Sequence, residues 1–114
     1  MQIDIKIKFS EDNAKFHSSR EFAKEKGLKD RICHGIMTLM PVSKILGEIL
    51  PGEGYVIIEL NNKFHNPVFP EEEILYFFEC TYSNEDIGIK KISIKVKNKS
   101  DVLKTSVEAI CKKI

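Results

Sequence analysis

The sequence predicts an α+β fold in which an antiparallel sheet curls around one apolar central helix. Two features predict it: a long apolar helical segment at 35–50, and four strand-like segments after it joined by short polar connections. Short connections favour antiparallel neighbours. A helix apolar around most of its circumference needs a broad surface to cover it, and a curled sheet is such a surface.

The elements follow in order. Ile3, Ile5, Ile7 and Phe9 alternate with Asp4, Lys6 and Lys8, the period-two pattern of a strand with one buried face. The stretch SEDNAKF at 10–16 has no period and reads as a loop. Ser18 stands three residues before Glu21, a capping-box spacing that predicts a short helix through Phe22 and Ala23, closed by Gly27. From Gly35 to Leu50 only Lys44 and Glu48 give the central helix a charged edge, and Pro41 inside it removes one backbone hydrogen bond and kinks or tightens the turn. PGEG at 51–54 ends the helix. Strands are predicted over Tyr55–Phe64, Ile74–Ser83, Gly88–Lys97 and Val102–Lys112. One such sheet leaves an edge and part of a face uncovered, so a homodimer is expected.

The chain has 114 residues, the size of one ordinary domain, and a single domain over 1–114 is expected. Its 18 basic and 17 acidic residues leave a charge of +1, so no global field recruits nucleic acid or an anionic membrane. The lysine run IKKISIKVKNK reads as a solvated strand face, and His65 as the residue at a strand end. Cys33, Cys80 and Cys111 show no CxxC or CxxH spacing, which argues against a disulfide framework and a metal site and for a reducing, cytoplasmic setting. The alternating N-terminus is unlike a signal peptide, and no stretch is apolar enough to span a membrane.

Three places could carry chemistry. Asp12 and His17 share one polar loop, near enough for a carboxylate and an imidazole to converge on one water, although such a pair also occurs in plain solvated loops. His34 and Gly35 open the central helix, where a glycine lets backbone N–H groups approach a ligand and the helix N-terminus favours an oxyanion; close packing alone would also explain the glycine. Ser43 shares a helix stripe with Ile36, Met40 and Gly47, and is read as a buried hydroxyl in need of a partner.

Together these segments resemble the MaoC-like (R)-specific hydratases of hot-dog fold. The family loop reads roughly S-x-D-x-N-P-x-H, against Ser10, Asp12 and His17 here, and its helix opens R-x-x-H-G, against Arg31, His34 and Gly35. A serine nine residues after His34, the run Leu50-Pro51-Gly52-Glu53-Gly54 and the strand end Phe64-His65-Asn66-Pro67-Val68 also match, so the likeness covers roughly residues 9 to 80. Ala14 and Lys15 stand where the family has Asn-Pro, and the lead-in before Asp12 is short for the family, which implies a reduced acyl-pocket wall.

The resemblance implies a hydro-lyase that holds water between Asp12 and His17 and adds it reversibly to a trans-2-enoyl thioester. Gly35 N–H would bind the thioester oxygen, with His34 and Ser43 beside it, and Lys63 would meet phosphate. It implies no metal and no cofactor beyond the coenzyme A or carrier-protein pantetheine of the substrate. Two other readings stay open: a hot-dog acyl-thioesterase, and a non-catalytic subunit that binds acyl thioesters.

Overall fold

The computed structural model describes residues 2–6, 19–29, 32 and 35–114, and it places five strands in one sheet. These are β1 (Gln2–Lys6), β2 (Tyr55–Phe64), β3 (Glu73–Asn84), β4 (Ile89–Asn98) and β5 (Leu103–Lys113). Their order across the sheet is β1-β3-β4-β5-β2, and every neighbouring pair is antiparallel. Among the described residues two helices precede β2: α1 (Arg20–Glu25) and α2 (Gly35–Lys44), the second continuing as one wider π turn over Ile45–Ile49. Of the first predicted strand, Ile7 and Phe9 lie outside the described residues.

Period-two patterning decides which side chains meet the helix. Ile74, Tyr76 and Phe78 of β3, Ile92, Ile94 and Val96 of β4, and Val107, Ala109 and Cys111 of β5 line the concave face and are buried. Against them α2 sets Val42, and the π turn sets Ile45 and Leu46. Each such aliphatic side chain withdrawn from water contributes about 1.5–3 kcal/mol. The intervening Lys91 and Lys95 face solvent.

A bulge keeps the β2 pattern in phase. Ile57 pairs with Cys111 and Glu59 with Ile110, so Ile58 is the extra residue and Leu60 returns to the side of Ala109. A second irregularity falls at Lys104, between the pairs Val96–Thr105 and Lys97–Leu103.

Three expectations are corrected. The cap of α1 is Ser19, not Ser18: the Ser19 hydroxyl accepts from the Phe22 N–H at 3.2 Å, because a capping oxygen must reach the third N–H of its helix. Gly27 does end the helix, in the left-handed conformation at φ 88°. The long helix does not stay α-helical to Leu50 but widens at Ile45. Nor is it buried all round, since Ile36 and Met40 are each 70% exposed: the sheet of a single chain covers only the stripe of Thr38, Val42, Ile45 and Leu46.

Candidate functional site

A cavity of about 610 Å³ opens where α2 begins. Its walls come from three places: the first turn of α2 with Ile32 before it, the end of β2 with the segment 65–68, and Thr105 of β5. Ile32, Ile36, Leu39, Phe64, Pro67 and Val68 make it mainly apolar, with Thr38, Asn62, His65, Asn66 and Thr105 as the polar groups. This composition suits a largely hydrocarbon ligand oriented by a few polar contacts.

Gly35 is the first residue of α2 and forms part of the wall. Its N–H is among the helix-opening donors that lack an intrahelical acceptor, at the positive end of the helix. A Cβ on Gly35 would stand 2.9 Å from the Phe64 ring, so a side chain there would push that ring aside and reshape the wall. The first turn is fixed by two hydrogen bonds. The Thr38 hydroxyl donates to the Gly35 carbonyl at 2.6 Å, and the Tyr76 phenol donates to the Thr38 carbonyl at 2.7 Å. Burial pushes the Tyr76 phenol far above its ordinary pKa, so it remains a donor throughout the working pH range.

The opposite wall is pinned by Lys104, which is only 4% exposed. Its ammonium donates to the Pro67 carbonyl at 2.8 Å and lies 3.1 Å from Glu72 Oε1. Its carbonyl accepts from both His65 N–H and Asn66 N–H. Burial alone would raise the Glu72 carboxyl, but hydrogen bonds from Asn98, the Phe69 N–H and Lys104, with the charge of Lys104, outweigh it and hold the pKa below its ordinary value.

Asp12, His17 and His34 lie outside the described residues, so only two of the candidate residues are placed. Gly35 stands in the cavity wall. Ser43 does not: it is exposed on the outer stripe with Ile36, Met40 and Gly47, and the expected burial of its hydroxyl is not observed. His65 follows the last residue of β2, as expected of a strand-end residue, and its Nε2 lies 2.8 Å from Ser106 Oγ. Sequence reasoning missed Thr38 and Thr105. The only available signal was a threonine at a concave-face position of an otherwise apolar row, which is weak without the sheet register.

An antiparallel sheet wrapped on one helix, with an apolar cavity at the helix N-terminus, defines a hot-dog protein. The model of the MaoC like domain matches residues 8–103, and the chain belongs to that family. Over 103 residues it is 29% identical to the (R)-specific enoyl-CoA hydratase of Aeromonas caviae, covering 90% of this chain and 77% of that protein. Among solved structures, an (R)-hydratase from A. caviae involved in PHA biosynthesis superposes with a TM-score of 0.85 at 24% identity, over 100% of this chain and 95% of that one. The ChsH1-ChsH2 complex from Mycobacterium tuberculosis gives 0.83 at 13% identity, over 100% and 94%. At such identities the structural likeness speaks for the fold. Among the described residues, no helix is long and apolar enough to cross a membrane.

Proposed function

We propose that this chain is an (R)-specific enoyl-thioester hydratase, acting reversibly as a 3-hydroxyacyl-thioester dehydratase, with 1–114 as one catalytic unit. The observation that carries the reading is the apolar cavity with Gly35, the first residue of α2, in its wall. A cavity of this kind holds an acyl chain, while the helix terminus receives the charge that builds on a thioester oxygen when water adds to the conjugated double bond. The sequence relative from Aeromonas caviae bears the name of that activity.

In this reading Asp12 and His17 hold the water. One takes its proton as the oxygen bonds to the β-carbon, and the other delivers a proton to the α-carbon on the same face of the alkene. Gly35 N–H stabilises the enolate oxygen between these events. The reaction needs no metal, flavin or nicotinamide. The pantetheine arm would run past Lys63, an exposed residue near the end of β2, and a second copy of the chain would cover β2 and the outer stripe of α2.

The test is hydration of crotonyl-CoA by the purified protein, followed as loss of the conjugated thioester absorbance with chiral analysis of the product. Asp12→Asn and His17→Ala are each expected to lower kcat by about 10²–10⁴-fold. An (S) product, or full activity in both variants, rules the mechanism out. Release of free thiol in place of hydration moves the chain to the thioesterases.

A further inference from the structure

Among the described residues, the Thr105 hydroxyl has one long contact as its hydrogen-bond partner. On β5 the concave-face row runs Thr105, Val107, Ala109 and Cys111, and its one polar member falls where the row meets the cavity. Thr105 is 0% exposed and Thr38, beside it, is 2% exposed, with 3.4 Å between their hydroxyl oxygens. The Thr38 proton is already committed to the Gly35 carbonyl at 2.6 Å. Within the pair Thr38 can therefore only accept, and Thr105 must be the donor. For an O–H···O bond 3.4 Å is too long to satisfy it well.

The position of the pair within the cavity gives this donor its consequence. Depth runs from Ile36 and Phe64, 70% and 56% exposed, down to the two buried threonines, so the hydroxyls form the closed end. We propose that Thr105 is the specificity-determining residue of the acyl pocket: it makes the closed end polar and restricts the site to short-chain acyl thioesters. This rests on reading the cavity as an acyl-thioester site. An alkyl tail that reaches the end packs against the Thr105 hydroxyl and offers it no acceptor, a contact that a polar group resists. A short tail stops above the pair and makes no such contact.

Substitution separates polarity from room. Thr105→Val keeps the shape and replaces the hydroxyl with a methyl, whereas Thr105→Ser keeps the hydroxyl and adds space. Affinities of butyryl-CoA and decanoyl-CoA, saturated esters that cannot be hydrated, are measured by calorimetry for the parent and both variants, with crotonyl-CoA hydration run beside them. The parent is expected to prefer butyryl-CoA. Thr105→Val should raise the decanoyl-to-butyryl affinity ratio about tenfold, and Thr105→Ser should raise it less than about fourfold, the effect of one methylene. An unchanged ratio in Thr105→Val, or an equal rise in Thr105→Ser, overturns the proposal. So does a parent that prefers decanoyl-CoA, which decides the matter even if the valine variant does not fold. A shifted ratio without hydration upholds Thr105 and removes the hydratase, whereas hydration with an unshifted ratio does the reverse. If neither ester binds, both readings fall.

Discussion

Lys104 shows how one residue can hold a binding wall in place. It is the extra residue of a bulge, and this position lets a lysine be buried while its ammonium spans Glu72 and the Pro67 carbonyl. Loss of Lys104 leaves the part-buried Pro67 carbonyl without its donor and Glu72 without its cation, so Lys104→Ala should cost about 2–4 kcal/mol in urea unfolding and should weaken acyl-CoA binding as segment 65–68 loosens. Unfolding within 1 kcal/mol of the parent, roughly the size of a surface pair, would contradict this account. The pH dependence has a definite sign. Because the folded-state pKa of Glu72 is depressed, its contribution is fully present above the ordinary value of 4.5 and is lost as pH falls below it through the folded pKa. Glu72→Gln should therefore show a shallower loss of melting temperature than the parent on acidification below that value. Gly35 makes a second prediction at this scale. A Cβ there displaces the Phe64 ring, whose outer edge faces solvent, so Gly35→Ala should leave stability within about 1 kcal/mol while raising KM. Phe64→Leu in the same chain should bring KM back, and failure to do so would locate the defect elsewhere.

At the level of elements, the strands were legible because Ile92, Ile94 and Val96 alternate with Lys91, Lys95 and Lys97, so one face of β4 could only point inward. The predicted span of β2 is the observed one, and the other three described strands after α2 differ by one residue at each end. The bulges at Ile58 and Lys104 were not legible, since Ile58 extends an apolar run without disturbing it and Lys104, next to the inward Thr105, reads as an ordinary outward residue. Nor was the pairing of β1 with β3, because alternation gives a strand's face and not its neighbour. Of the candidate site, the motif pointed to Gly35, but the closed end of the cavity arises from residues 67 positions apart, Thr38 and Thr105, which only the register brings together. The docking of α2 on β3 is testable through Tyr76. Tyr76→Phe removes a buried phenol bond from a helix carbonyl and should lower stability by about 0.5–1.5 kcal/mol, read from the urea midpoint at unchanged m-value. A loss above about 3 kcal/mol would mean that the ring packing had changed as well.

The whole molecule exposes more apolar surface than a lone chain should keep. β2 is an edge strand, and on its concave side Ile57, Leu60 and Phe64 are 42%, 39% and 56% exposed; the 70% exposed Ile36 and Met40 lie on the outer stripe of α2. Unpaired backbone groups along such an edge are a template for another strand. A second copy applied by two-fold symmetry would satisfy the β2 backbone, cover the apolar side chains and enclose Ser43, which shares the stripe of Ile36 and Met40. Sedimentation equilibrium should accordingly return a particle of twice the 13.1 kDa chain mass. Leu60→Glu places a charge at the centre of β2 and should shift the protein to monomer, whereas Ile87→Glu, 58% exposed at the turn between β3 and β4, should not. A monomeric parent, or a Leu60→Glu variant as dimeric as the Ile87→Glu control, would exclude this edge as the interface. If the monomeric variant also loses crotonyl-CoA hydration while retaining its melting temperature, the cavity needs the second chain to function, and the exposed face of α2 is part of the site.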